Sequence, residues 1–226
     1  MRFETSVEAG LHGLLIPASS SITIAELVYY LVILKPDAKM VMSELSRSLH
    51  RWTREEYDRM VDSGVFPMDA RVELVDGEIL EMTPQKSPHA TGTALVAEAL
   101  RQCFSSDYHV RSQMPLALDD FSEPEPDVAV VKGGIRDYAG QHPRLAVLVV
   151  EVSDTTLAFD RGSKAMMYVR NGVQEYWLAN LRDASLEVYR RPSGGMYTER
   201  RVLARHETIA PLVAKENPIL VADLLP

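Results

Sequence analysis

The sequence predicts a mixed α/β fold in which a central β-sheet is flanked by helices. Three observations predict it. The pair Asp76-Gly77 joins two short alternating runs, which is typical of an antiparallel hairpin. A nearly continuous apolar run at 145–153 has the composition of a strand that is buried on both faces. A helix and a further strand follow that run, and such a step predicts parallel pairing with a right-handed crossover.

The first predicted elements are a short helix, the hairpin and a long helix. Thr53 followed by Glu56 is the signature of a capped helix start, and the helix should end near Ser63. Apolar residues at helical spacing then predict a long helix from Ser87 to about Phe104. Between these helices, the two strands of the hairpin are predicted at 71–75 and 78–82.

The second half of the chain alternates strands with one more helix. That helix is predicted at 161–170, because Asn171-Gly172 is a typical helix stop. The apolar tail at 217–225 is expected to dock as a short strand or helix. Strands are predicted before the helix at 108–113, 126–132 and 145–153, and after it at 175–180, 185–191 and 198–203.

Residues 1–50 differ from the rest of the chain and predict an N-terminal extension of uncertain order. A single domain is expected at 51–226, because a chain of this length favours one domain with an extension. Three serines at 19–21 separate two apolar stretches, and Met42 offers a second apparent start. Two interpretations stand for this leader: a helical addition to the domain, or extra sequence that adds little structure.

Composition and charge bound the class of protein. A hydrophobic content of 46% and a charged content of 25% are ordinary for a globular protein with a sizeable core. The single cysteine, Cys103, excludes an internal disulfide and fits a reducing, cytoplasmic location. The longest apolar stretch, at 22–34, is shorter than the roughly 20 residues of a spanning helix, so no membrane association is expected.

The net charge of −8 argues against broad, non-specific coating of nucleic acid. It leaves open a site whose acids are neutralised by a metal ion. Between Arg182 and Arg205 the balance of charge reverses locally. Two interpretations stand for this basic segment: a patch that faces phosphates, or the solvated outer faces of edge strands.

Two acids stand in unusual places for buried strands. Asp127 follows Pro126 at the head of an apolar run, and Glu151 follows six consecutive apolar residues. A glutamate that deep needs a cation beside it. Taken alone, Asp127 is also explained as an exposed strand-end acid, and Glu151 as half of a buried ion pair. Together with an ammonium they could hold a hard divalent cation and polarise a phosphate against a bound water.

Three further residues are candidates for the same site. Lys164 lies four residues after Asp160 on a predicted helix, and it either points over the strand that carries Glu151 or pairs with Asp160 at the surface. Glu73 alternates out of phase with its apolar neighbours, which fits either the site or a solvent face. His89 stands at a helix start, where it either approaches the site or serves as a cap-side donor.

Other catalytic motifs are absent from the sequence. It contains no Gly-x-Ser-x-Gly nucleophile elbow. It also contains no Walker-type loop and no dinucleotide-binding fingerprint. Its histidines and its cysteine do not have the spacing of zinc ligands.

Six motifs together carry a resemblance to a known family. They are Glu73–Ile79, Ser87-Pro88-His89, Pro126-Asp127-Val128, Val150–Ser153, the set Asp160, Lys164 and Tyr168, and Gly172–Trp177. In this order they resemble the Uma-type restriction endonuclease family, which belongs to the PD-(D/E)XK nuclease superfamily. Each motif alone is weak, and the resemblance covers about residues 52–191.

The resemblance implies a restriction-endonuclease-like core and a set of site residues. It makes Asp127 the acid of the Pro-Asp motif and Glu151 the second metal ligand. The superfamily places a lysine two residues after that glutamate, where this chain has Ser153. The resemblance therefore implies that Lys164 supplies the ammonium from the following helix. It also implies that Glu73 and His89 complete the site.

The resulting hypothesis is a metal-dependent endonuclease that hydrolyses nucleic-acid phosphodiester bonds, with DNA as the expected substrate. Mg²⁺ or Mn²⁺ is expected on Asp127, Glu151 and a backbone carbonyl near Val152, with Glu73 at a second ion or its water. Two cuts in antiparallel strands favour a homodimer, although no residue pattern demands one. The alternative is a catalytically inactive nuclease-fold module that binds nucleic acid or a protein. The net charge and Ser153 favour that alternative.

Overall fold

A six-stranded sheet forms the centre of the fold, with the strand order β3-β4-β5-β6-β7-β8. The computed structural model describes residues 49–226, and all elements below lie in the unit formed by residues 51–226. The strands of the sheet are β3 (Tyr108–Ser112), β4 (Val128–Lys132), β5 (Leu148–Ser153), β6 (Glu175–Asn180), β7 (Ser185–Ser193) and β8 (Met196–Ala204). Strands β5 and β6 are parallel and the other neighbours antiparallel, which confirms the mixed sheet.

The predicted extension at 1–50 falls almost entirely outside the described residues, so the proposed division into extension and domain stays a prediction. All six predicted strands of the main sheet are present, with ends shifted by up to three residues. The largest shift is at β5, which begins at Leu148, and Leu145 at the predicted start is exposed to solvent. No helix within residues 49–226 has both the length and the apolar composition to cross a membrane.

Helices cover both faces of the sheet. They are α1 (Arg54–Asp62), α2 (Ser87–Cys103) and α3 (Ala165–Arg170), with 3₁₀ turns at Ile135–Tyr138 and Val221–Leu224. Helix α1 starts as predicted, because the Thr53 side chain accepts from the Glu56 N–H and the Glu56 carboxylate accepts from the Thr53 N–H. Satisfying two free backbone donors in this way fixes the start of the helix.

The hairpin preceding α2 consists of β1 (Val72–Val75) and β2 (Glu78–Glu81). Asp76 and Gly77 in its turn have φ values of 53° and 84°, as the two central residues of a type I′ turn require. Leu74 exchanges two backbone hydrogen bonds with Glu123, which attaches the hairpin to the rest of the fold. A second small pair, β9 (Thr208–Ile209) and β10 (Ile219–Leu220), belongs to the C-terminal tail.

The alternation of side chains along β5 divides the core into two layers. Val150 points to the layer that contains Leu100 of α2, and Val149 points to the layer that contains Tyr168 of α3. Since side chains two residues apart share a face, Glu151 points to the same side as Val149. The charged residue of β5 therefore faces the helical segment that follows it in sequence.

That helical segment begins earlier than predicted and is irregular. It starts with a turn at Leu157–Phe159 and continues through a π-helical stretch at Asp160–Lys164 into α3. The expected start at 161 is wrong, because the helical segment already begins at Leu157 and Asp160 lies inside it. Its buried carboxylate accepts a hydrogen bond of 2.6 Å from Thr156 Oγ1. The N–H of Ala165 donates to the carbonyl of Asp160, five residues back, which is the π-helical pattern.

Candidate functional site

The carboxylates of Asp127 and Glu151 meet where β4 begins and β5 ends. These residues lie directly next to the Val128–Val150 pair of the antiparallel register. The Asp127 N–H donates to Glu151 Oε2 at 3.2 Å, and the Val152 N–H donates to Asp127 Oδ2 at 2.8 Å. Both side chains are buried. Strand register alone therefore places the two acids side by side, and neither is an exposed strand-end acid.

Lys164 reaches these acids from the π-helical stretch. Its ammonium lies 3.0 Å from Glu151 Oε1 and 3.1 Å from Glu73 Oε1. The hydroxyl of Tyr168, one helical turn later, donates to the same Oε1 of Glu151 at 2.7 Å. Lys164 is only 6% exposed. The alternative of a surface ion pair between Lys164 and Asp160 is therefore wrong.

Glu73 joins the site from the hairpin. Its Oε2 accepts a hydrogen bond of 3.1 Å from the N–H of Glu125, while its Oε1 contacts Lys164. The solvent-face alternative for Glu73 is wrong, since the residue is buried. The alternation that suggested it was correct, but the second face of β1 lies against the site instead of against water.

His89 lies in the first turn of α2, and its Nε2 is 3.2 Å from Asp127 Oδ2. Its partner is thus the site carboxylate, so the cap-side alternative is wrong. The hydrogen bond to Asp127 raises the pKa of His89, against the opposing effect of burial. Helix α2 approaches β5 closely here. A Cβ atom added to Gly92 would lie only 3.0 Å from Val152 Cγ1.

Two further contacts to Asp127 were not predicted. Thr93 Oγ1 and Gln113 Nε2 lie 3.5 Å and 3.4 Å from Asp127 Oδ1. Gln113 follows β3 with φ = 52°, and its N–H donates to the carbonyls of Pro126 and Asp127. A glutamine seldom adopts positive φ, so no sequence signal marks this position. The helical spacing from His89 to Thr93 is the one clue that the sequence offers.

The side chains of Glu73, His89, Asp127, Glu151 and Lys164 line one open cleft of about 340 Å³. Its described lining contains more acids than bases. The acids are Glu73, Glu81, Glu125, Asp127, Glu151 and Asp160, and the basic side chains are Arg71, His89 and Lys164. Glu81, Glu125, Asp160 and Arg71 were absent from the predicted set. The excess of carboxylates favours binding of a cation in the cleft.

Burial and charge shift the proton affinities of the central pair. Burial raises the pKa of Glu151, and the nearby Asp127 raises it further. Lys164 opposes this shift by attraction. For Lys164, burial lowers the pKa, but the carboxylates of Glu151 and Glu73 outweigh burial and raise the pKa above its usual range. Lys164 therefore stays an ammonium at neutral pH, and it donates hydrogen bonds but accepts no proton.

The chemistry of the donors fits a hard divalent cation, because carboxylate oxygens are the ligands that Mg²⁺ and Mn²⁺ prefer. Within residues 49–226, however, no three His, Cys, Asp or Glu side chains are already grouped around one metal position. Lys164 bonds to Glu73 and Glu151, and Asp127 accepts from a backbone N–H. Metal binding therefore requires these carboxylates to exchange hydrogen bonds for metal bonds.

Comparison with known proteins agrees with this architecture. The family model Uma2, described as "Putative restriction endonuclease", matches residues 54–217, which is more than half of the chain. The chain belongs to the Uma2 family. A crystal structure described as a "putative nuclease belonging to DUF820" from Anabaena variabilis has a similar fold, with a TM-score of 0.59 at 16% identity. The likeness covers 76% of this Uma2 chain and 96% of the other. No curated protein matches the chain.

The family assignment and the similar fold confirm the predicted family and the predicted nuclease-like α/β architecture. In this Uma2 chain the structure also brings together all five residues named from the sequence. They are Glu73, His89, Asp127, Glu151 and Lys164, and all of them line the cleft. Their catalytic and metal-binding roles remain proposals.

Proposed function

We propose that this Uma2-family protein is a metal-dependent endonuclease that hydrolyses phosphodiester bonds in DNA. The proposal depends on one observation: the buried pair of Asp127 and Glu151 opens into a cleft beside the Lys164 ammonium. Two adjacent buried carboxylates are unfavourable unless positive charge offsets them. Membership of a family described as "Putative restriction endonuclease" supports nucleic acid as the substrate.

The candidate ligands of Mg²⁺ or Mn²⁺ are Asp127, Glu151 and a backbone carbonyl near Val152. Such an ion supplies a Lewis acid for a phosphoryl oxygen and lowers the pKa of a bound water. Glu73 holds Lys164 from the hairpin side, and it is the candidate carboxylate for a second ion or its water.

The other charged groups position the reactants and stabilise charge. Lys164 stays protonated, so it orients the attacking water through its N–H donors and stabilises negative charge that develops on the phosphate. His89 donates to Asp127 and holds that carboxylate in place. In the overall reaction, the water oxygen bonds to phosphorus and one P–O ester bond breaks. The water loses one proton, and the departing sugar oxygen gains one.

The test is nicking of supercoiled plasmid DNA in Mg²⁺ or Mn²⁺. We expect cleavage by the wild-type protein, its loss in EDTA, and its loss in the Asp127→Asn variant, which keeps the size of the side chain. Asp69→Asn is the matched control, because Asp69 is exposed and lies outside the cleft. Cleavage that resists EDTA, or that persists in Asp127→Asn, would contradict the proposal.

A second candidate function is the inactive nuclease-fold module that binds nucleic acid or a protein. The observation in its favour is that no three His, Cys, Asp or Glu side chains within residues 49–226 are grouped around a metal position. Calorimetric titration with Mn²⁺ separates the two candidates. A nuclease should bind the ion in wild type and lose that binding in Asp127→Asn, whereas an inactive module should bind no ion at this pair.

A further inference from the structure

The acidity of the cleft raises the question of how a negatively charged phosphodiester enters it. Three basic side chains are present in its described lining. Two of them are already engaged: Lys164 contacts Glu73 and Glu151, and His89 contacts Asp127. The third is the guanidinium of Arg71, which is more exposed to solvent than Lys164 or His89.

Arg71 directly precedes strand β1 and lies two residues before Glu73. Side chains two apart along an extended strand share a side, so both residues line the cleft. The Arg71 carbonyl accepts a hydrogen bond of 2.8 Å from the N–H of Met82, which fixes the backbone at the open end of the hairpin. The side chain itself is 41% exposed.

The partner of the Arg71 guanidinium is Glu125, and their contact is loose. The distance from Arg71 Nη2 to Glu125 Oε2 is 3.5 Å, whereas a strong charge-assisted bond measures about 2.7–2.9 Å. The pair is partly exposed, since the Glu125 side chain is 25% accessible, and long ion pairs near water contribute little to stability. Arg71 can therefore leave Glu125 for another anion at little cost in folding free energy.

We propose that Arg71 binds a backbone phosphate of the substrate at the mouth of the cleft. The planar guanidinium can offer two parallel N–H donors to two oxygens of one phosphate, which an ammonium cannot do. The position beside Glu73 places this contact next to the reacting centre. This inference depends on the nuclease function proposed above, and it adds a substrate-binding residue to it.

The test measures binding of a fluorescein-labelled DNA duplex by anisotropy, with Ca²⁺ in place of Mg²⁺, over a series of KCl concentrations. We expect Arg71→Ala to weaken binding about 10-fold to 100-fold, the usual range for one charged hydrogen-bonding contact. The slope of log K against log[KCl] should become shallower by about 0.9, the value for one lost phosphate contact on duplex DNA. Arg71→Lys should keep the slope and still weaken binding, because it keeps the charge and loses the paired donors.

Arg59→Ala is the matched control. Arg59 is also an exposed arginine in a single ion pair, with Glu55 at 3.3 Å, and it lies outside the cleft. It should change neither affinity nor slope. The Mn²⁺ titration and the melting temperature of Arg71→Ala should match wild type, because Arg71 contacts none of the candidate metal ligands.

The outcomes separate this inference from the function on which it depends. If wild-type protein neither binds nor nicks DNA, the proposed function itself fails. If wild-type protein does both, and Arg71→Ala binds with the same affinity and the same salt slope, the role of Arg71 is overturned while the nuclease function stands.

Discussion

The ammonium of Lys164 contacts Glu151 Oε1 at 3.0 Å, although thirteen residues and a change from strand to helix separate them. The π-helical stretch that ends at Lys164 directs this side chain back over the end of β5. Ser153, two residues after Glu151, is fully buried, and its Oγ lies 3.4 Å from Thr156 Oγ1. The start of the helical segment thus packs over position 153, and the ammonium next to Glu151 comes from that segment.

Replacing Lys164 tests this relationship directly. Lys164→Met keeps most of the side-chain volume but leaves the Glu151 and Glu73 carboxylates without their cation. We expect the free energy of unfolding at neutral pH to fall by about 3–5 kcal/mol, as when one partner of a buried ion pair is removed. Nicking should fall by about 100-fold or more, the usual effect of losing a positioned charge donor. Urea unfolding and the plasmid assay measure the two effects.

Lys215→Met is the control for this experiment, since Lys215 is exposed and lies outside the cleft. It should leave both stability and nicking unchanged. Wild-type nicking by a folded Lys164→Met protein would show that the helix lysine plays no part in catalysis.

The main elements and the central acids could be predicted from sequence because the signals are local. The Asp76-Gly77 turn and the apolar run ending in Glu151 both specify their structure within a few residues. Register then brings Asp127 to Glu151 without any further information. Family resemblance supplied the role expected for Lys164, which the sequence pattern alone left as one of two alternatives.

The parts that escaped prediction depend on tertiary contacts. Whether Glu73 faces water or the cleft is decided by where the hairpin docks, and alternation within β1 carries no information about that. The early start of the helical segment is a local exception, since Thr156 and Asp160 are only four residues apart, but the burial of Asp160 is set by the surrounding fold. The positive φ of Gln113 accompanies hydrogen bonds from its N–H to the carbonyls of Pro126 and Asp127, which are distant in sequence.

The pH dependence of stability offers a test outside the cleft centre. Burial and the nearby Asp58 raise the pKa of Glu123 to about 7, against the attraction of Arg54. A carboxyl with a raised pKa binds its proton more tightly in the folded state. Glu123 therefore lowers stability as the pH rises from about 4.5 through about 7. Removing the carboxyl should remove this loss.

We expect Glu123→Gln to gain about 1–2 kcal/mol relative to wild type between pH 5 and pH 8, allowing for screening by solvent. Urea unfolding at both pH values measures the difference. Glu98→Gln, on the exposed face of α2, should show no such change with pH. A difference between Glu123→Gln and wild type that stays constant over this range would contradict the raised pKa.

Gln113 contacts Asp127 through both its side-chain amide and its backbone N–H. Substitutions at this position can separate the effects of the two contacts. Gln113→Gly keeps the positive φ without strain, because glycine adopts this conformation readily, and it removes the amide that approaches Asp127 Oδ1. Asp127 should then be held less firmly. We expect Mn²⁺ affinity to fall by about 10-fold, the lower end of the range for losing an outer partner of a metal ligand. Thermal stability should hold or rise, since strain is released.

Ala184→Gly makes the same backbone change elsewhere, because Ala184 has φ = 49° and lies outside the cleft. It should therefore share any stability gain and leave Mn²⁺ affinity unchanged. Gln113→Ala also removes the amide but retains the backbone strain. Its Mn²⁺ affinity should therefore match that of Gln113→Gly. Its thermal stability should be lower than that of Gln113→Gly. If Gln113→Gly and Gln113→Ala both bind Mn²⁺ as wild type does, the Gln113 side chain does not position Asp127. The conformation of Gln113 then matters only for the backbone hydrogen bonds between β3 and β4.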